Sequence, residues 1–167
     1  MSEPVVRETE TGDVPAVRRI ARAGWEAAYG DVLDAATIDA AVSEWYAPGT
    51  IRESIEREEV VHRVAECECE ENVIGYVSGG PDTGEVAVLG AIYVDPDRWG
   101  EGVGTALLSA FEAACRERGC SELRFRVLAD NEVGVSFYRA RGYEAVEESE
   151  VELFGERVSE LTFRGPL

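Results

Sequence analysis

Hydrophobic and polar positions recur along this chain in two periods, and each change of period marks an element. Residues 5–8 alternate as a short strand. Val14, Val17, Ala21, Gly24, Trp25 and Ala28 then recur at helical spacing, after a start signal at Thr11 or Asp13 and with Pro15 tolerated in the first turn. Residues 34–58 continue as helix, interrupted by Pro48-Gly49. Residues 60–69 and 73–78 read as a hairpin around the acidic turn Glu70-Glu71-Asn72, and Gly79-Gly80-Pro81-Asp82 as a loop. Residues 86–94 form an apolar strand stopped by Asp95-Pro96. Val103, Ala106, Leu107, Ala110, Phe111 and Ala114 make the apolar stripe of a helix that Gly119 ends. Leu123, Phe125 and Val127 share one face of a strand over 123–128, which gives strand–helix–strand and a right-handed parallel crossover. Asn131 caps a short helix ended by Gly142, and 144–154 and 157–164 are the last strands. The order predicts an α/β protein with a mixed central sheet of about seven strands, flanked by about four helices. Residues 4–167 are expected to form a single domain.

Composition adds an acidic surface. Formal net charge is −18, all 16 basic residues are Arg, and neither Lys nor Gln occurs. Disorder needs low hydrophobicity as well as charge, and 45% of these residues are hydrophobic. Such a surface repels itself in dilute buffer and is screened by salt, so we expect a protein adapted to a high-salt cytoplasm. No Lys/Arg run offers the basic face that nucleic acid requires. The first residues are too polar for a signal peptide, and no apolar run approaches the ~18 residues of a membrane span. A cytoplasmic protein with no nucleic-acid and no membrane partner is expected. The cysteines are Cys67, Cys69, Cys115 and Cys120; a Cys-x-Cys without a matching second pair predicts no metal site, and free thiols are the expectation.

The candidate chemistry lies between Val86 and Tyr143. After the apolar strand come Arg98, Trp99, Gly100, Gly102, Val103, Gly104 and Thr105, running into the long helix. Such a loop aims backbone N–H groups and a helix N-terminus at an anion. A Walker A loop needs Lys, and the chain has none. A dinucleotide fingerprint starting at Gly100 would end on Thr105, and one starting at Gly102 on Leu107, so neither frame fits.

What fits is the Gln/Arg-x-x-Gly-x-Gly/Ala pattern of GNAT-type N-acetyltransferases, which this chain resembles over nearly its whole length. Gly102 and Gly104 occupy the glycine slots, while Trp99 stands where Gln or Arg is usual, with Arg98 beside it. Asn131-x-x-Gly134-x-x-Phe137-Tyr138-x-x-x-Gly142-Tyr143 is similar to the family's Asn-x-x-Ala-x-x-Leu/Phe-Tyr motif. The resemblance implies the GNAT fold, acetyl-CoA as co-substrate, and a bulged strand splayed from its parallel neighbour. Pantetheine would then bind along the backbone of Ile92, Tyr93 and Val94, with the Val94 amide or its neighbour polarising the thioester carbonyl. Asn131 would contact the pantetheine arm, and Tyr138 would donate toward the CoA sulfur. The helix with Trp25 and Tyr29 resembles the family's substrate-side helices, and Trp45 and Tyr46 are further candidates for an acceptor wall.

Acetyl transfer to an amine needs a proton removed from the alkylammonium, whose pKa is near ~10, and one delivered to the leaving thiolate. Tyr138 is the expected acid. For the base, some protein N-terminal acetyltransferases of the superfamily carry Glu where this chain has Arg126. Glu85, at the start of the preceding strand, is the first candidate, with Glu26 and His62 behind it, or a water relay. Arg139 and Arg141 follow Tyr138 and are expected in surface ion pairs, with contact to the 3′-phosphate of CoA as the alternative. The implied function is direct transfer of acetyl from acetyl-CoA to a small-molecule or peptide primary amine; a homodimer is open to it, as dimers are common among relatives, but the sequence does not set the oligomeric state. The alternatives are a non-catalytic acyl-CoA sensor and an enzyme using a longer acyl group.

Overall fold

The computed structural model describes residues 4–67 and 73–167. Its sheet has seven strands: β1 (Val5–Glu8), β2 (Val61–Glu66), β3 (Val73–Pro81), β4 (Val86–Val94), β5 (Glu122–Leu128), β6 (Glu144–Leu153) and β7 (Glu156–Pro166). They lie in the order β1-β2-β3-β4-β5-β7-β6, and β4–β5 is the parallel pair in an otherwise antiparallel sheet. Among the described residues there are five α-helices: α1 (Val14–Tyr29), α2 (Ala35–Trp45), α3 (Pro48–Glu56), α4 (Val103–Glu117) and α5 (Glu132–Ala140).

The apolar stripe of α4 explains its position. Val103, Leu107, Leu108 and Phe111 are buried with Val61, Val77, Leu123 and Phe125 on one face of the sheet, and Tyr138 of α5 joins the same core. On the other face α1 buries Val14, Val17, Ile20 and Ala21 against Val64, Val73 and Tyr76. A third cluster packs Trp25, Tyr29, Ile38 and Val42 of α1 and α2 against Leu153 and Val158 of the β6–β7 hairpin. Glu156 of that hairpin accepts from Thr37 Oγ1 (3.0 Å) and from the Asp34 amide (3.4 Å), tying it to the start of α2.

Three details differ from the sequence expectation. The helical region 34–58 is two helices, so the count is five rather than about four: the break falls at Tyr46-Ala47, and Pro48 opens α3, where its missing N–H has no partner to lose. Gly79, Gly80 and Pro81 belong to β3 rather than to a loop, paired with Leu89, Val88 and Ala87. Cys67 is disulfide-bonded, not a free thiol, whereas Cys115 and Cys120 are free and buried. Cys69 lies outside the described residues.

His62, the chain's single histidine, is buried on β2, stacked on Tyr76, with Nδ1 2.7 Å from Thr9 Oγ1. Burial, reinforced by the charge of Arg63, pushes its pKa down to about 4, while Asp13 opposes the shift. A depressed folded-state value means that the unfolded chain takes up this proton first. His62 therefore contributes stability that is present above its ordinary value near ~6.5 and lost as pH falls toward about 4. We expect His62→Gln to remove up to roughly 1.4 kcal/mol per pH unit of slope over that window, read by urea melts at several pH values.

Candidate active site

The cofactor side is built by the divergence of β4 and β5. They pair only through Val86, Ala87 and Val88 with Glu122, Leu123 and Arg124, then separate. A register shift between Ser78 and Gly79, opposite Ala91 and Leu89, leaves Gly90 as the extra residue of a β-bulge, which bends β4 away. Beyond the bulge Asp95 donates its amide to Ile74 of β3 (2.8 Å). By the antiparallel alternation, Ile92 and Val94 turn their N–H and C=O groups the other way, into the gap.

The glycine loop closes one end of this gap. Gly102 is the N-cap of α4 at φ 85°, and Gly100 lies at φ 83°, a region that residues with a Cβ avoid. With no side-chain cap on α4, its first-turn N–H groups remain open to a ligand, at the positive end of the helix. Trp99 donates its indole N–H to the Val94 carbonyl (3.1 Å). The residue that replaces the family's usual Gln or Arg thus braces the loop against the end of β4.

A cavity of about 420 Å³ runs along these groups. Ile92, Tyr93, Val94, Arg98, Trp99, Gly100, Gly102, Val103, Gly104, Thr105, Asn131, Phe137 and Tyr138 all line it, as does Arg141. Among the described residues no carboxylate lines it, in a protein of net charge −18. Arg98 lies 3.7 Å from Glu101. Arg141 makes no ion pair among the described residues, contrary to expectation: it stacks on the Phe137 ring (3.6 Å) and donates to the Phe137 carbonyl and Thr105 Oγ1. Two cations, the α4 N-terminus and outward-facing strand amides fit a pyrophosphate joined to an amide-bearing arm.

A second cavity, of about 280 Å³, lies on the other side of the splay. Trp25, Tyr29, Trp45 and Tyr46 wall it from α1, α2 and the turn after them, Val151 and Leu153 from β6, and Arg126, Leu128 and Glu160 from β5 and β7. The Trp25 ring lies 4.9 Å from that of Tyr29 and 5.7 Å from that of Trp45. Ile92, Tyr93, Asn131 and Tyr138 line both cavities, so the two meet at these residues.

Local contacts fix that junction. Asn131 accepts from the Gly134 amide through Oδ1 (2.9 Å) and donates through Nδ2 to the Tyr29 hydroxyl (3.3 Å). A Cβ at position 134 would lie 2.5 Å from Nδ2, so Gly134, where the family has Ala, lets Asn131 fold back in this pose. The Tyr138 ring rests on Phe125 (4.3 Å) and Phe163 (6.0 Å) and is buried. Burial first, and the neighbouring Tyr29 second, hold its pKa well above the ordinary tyrosine value. Its hydroxyl is therefore protonated at neutral pH and can donate a proton. Burial likewise pushes Tyr29 up to about 12.

Glu85 is not brought to this junction. It lies exposed in the turn before β4, where its carbonyl accepts from Ser121 and Glu122, and it lines neither cavity. The junction is at the other end of β4, roughly 25 Å away at ~3.3 Å per residue. Glu26 and His62 line neither cavity. The carboxylate that lines the second cavity is Glu160, which no sequence pattern singles out. The alternation on β7 sets it on the same face as buried Val158, but nothing else distinguishes it among 34 acidic residues.

The profile of the Acetyltransferase (GNAT) family matches residues 16–143, and the chain belongs to that family. Its fold is that of the paia N-acetyltransferase of Thermoplasma acidophilum, solved in complex with coenzyme A, with a TM-score of 0.87 at 20% identity over 99% of this chain and 100% of that one. Among curated relatives, it is 36% identical over 90 residues to an acetyltransferase of Sodalis glossinidius, covering 53% of this chain and 60% of that protein. It is 42% identical over 69 residues to the mycothiol acetyltransferase of Saccharomonospora viridis, covering 41% of this chain and 22% of that protein. The matches thus span less than two thirds of these relatives' lengths.

Proposed function

We propose that this protein is an acetyl-CoA-dependent N-acetyltransferase that transfers acetyl directly to a primary amine in a ternary complex. The observation that carries this reading is the meeting of the two cavities at Ile92, Tyr93, Asn131 and Tyr138. When bound, acetyl-CoA supplies the activated acetyl group as a thioester. The first-turn amides of α4, with Arg98 and Arg141, hold the pyrophosphate. The Ile92 and Val94 amides hold the pantetheine arm and polarise the acetyl carbonyl. Asn131 orients the arm while capping α5, and the protonated Tyr138 delivers a proton to the departing sulfur. The aromatic cavity admits the amine from the opposite side, so no acyl-enzyme is required.

The test is calorimetric titration with CoA in molar KCl, followed by release of CoA thiol from acetyl-CoA with a panel of amines. Binding with amine-dependent release is expected. Absence of binding removes the reading, and binding without release for any amine leaves a sensor in its place. The domain spans residues 4–167, and the acidic surface is part of the same proposal, as an adaptation to a salt-rich cytoplasm. The melting temperature should rise from dilute buffer to molar KCl as repulsion is screened; an unchanged or lower value contradicts that adaptation.

A further inference from the structure

Among the described residues the acceptor cavity holds one carboxylate and one guanidinium, and they belong together. Glu160 on β7 and Arg126 on β5 lie in adjacent strands, with Glu160 registered opposite Leu128 and Arg126 opposite Thr162. Their nearest charged atoms, Arg126 Nε and Glu160 Oε1, are 3.9 Å apart, too far for a hydrogen bond. The Glu160 side chain is 20% exposed and that of Arg126 74%, so the carboxylate lies deeper and the guanidinium at the mouth. No hydrogen bond from the described residues holds the Glu160 carboxylate, although its charge reaches the Tyr29 hydroxyl at the cavity junction.

An open pair of this kind matches a molecule that carries both charges. An ammonium set against Glu160 and an anionic group set against Arg126 complete an alternating square of four charges. A polyamine would bring a second cation to Arg126, and an uncharged amine would leave the guanidinium unmatched. The remaining walls, including Trp25, Trp45, Val151 and Leu153, favour an apolar body. We propose that Glu160 receives the acceptor's ammonium and takes its proton, that Arg126 binds a carboxylate on the same molecule, and that the acceptor is therefore an amino-acid-like zwitterion with an apolar side chain.

The step balances. Glu160 removes one proton from the ammonium; the amine nitrogen bonds to the acetyl carbon as the carbon–sulfur bond breaks with its electron pair on sulfur. The second nitrogen proton replaces the one that Tyr138 gives to sulfur, and Glu160 releases its proton to solvent. This proposal rests on the acetyltransferase reading, and its test separates the two.

Thiol release is measured in molar KCl with phenylalanine, with phenethylamine, which lacks the carboxylate, and with spermidine. The wild type should favour phenylalanine in kcat/KM by about tenfold or more, as expected of a charged hydrogen-bonded contact. Arg126→Ala should erase that preference through KM. Glu160→Gln should lower kcat by about 10²-fold, with Glu160→Asp restoring part of it. Calorimetric CoA binding equal to wild type certifies that each variant is folded. Turnover that favours phenethylamine or spermidine, or a Glu160→Gln variant with an unchanged kcat, overturns the proposal and leaves the acetyltransferase standing. Absence of thiol release with every amine removes the acetyltransferase reading, and the proposal with it.

Discussion

Tyr138→Phe should lower kcat by about 10²-fold or more while leaving the Kd for acetyl-CoA nearly unchanged. The ring contacts with Phe125 and Phe163 survive the substitution, so the core that positions α5 is kept. Only the hydroxyl at the junction of the two cavities is removed, and with it the proton for the departing sulfur. Because burial holds that hydroxyl well above the usual tyrosine range, the wild type should show no loss of rate from Tyr138 ionisation below the ordinary value near ~10. Thiol release gives kcat and calorimetry gives Kd. An equal loss of both would assign Tyr138 to packing alone.

Gly79→Ala should be the most damaging of the simple glycine substitutions. A Cβ there would meet the Val88 carbonyl oxygen at 2.2 Å and the Gly90 amide nitrogen at 3.0 Å, both backbone atoms of β4. The Phe111 ring at 2.9 Å blocks relief from the helix side. Backbone cannot rotate away as a side chain can, so β4 must shift, at a cost of about 3 kcal/mol or more. That corresponds to roughly 10 °C in Tm for a chain of this size. Since the bulge at Gly90 sets the direction of Ile92 and Val94, CoA affinity should fall as well. Gly49→Ala, where a Cβ meets nothing within 4 Å, is the control and should behave as wild type. Wild-type stability in the Gly79 variant would mean that the bulge does not depend on this contact.

The donor side was legible because it is nearly contiguous. Strand, glycine loop, helix cap and the Asn131–Tyr138 segment each write a local rule into the sequence, and the crossover brings them together without long-range information. The acceptor side is assembled from α1, α2, β5, β6 and β7, and no local pattern says which side chains from so many segments converge. Glu160 is one glutamate in a strongly acidic chain, and its alternation with Val158 only gains meaning once β7 is placed against β5. Glu85 lies away from both cavities for a directional reason. In a parallel strand pair, ligands gather at the carboxyl ends of the strands, and Glu85 precedes the amino end of β4. Trp99 departs from the family pattern but has a local purpose, visible only when its indole is found on the Val94 carbonyl.

Donor and acceptor should occupy the adjoining cavities at the same time, with transfer at the residues the cavities share. Initial-velocity kinetics with acetyl-CoA and a reactive amine, both varied, distinguishes this from sequential occupancy. Intersecting double-reciprocal lines, the signature of a ternary complex, are the predicted result. Parallel lines, with acetyl retained on the protein after CoA has left, would contradict it.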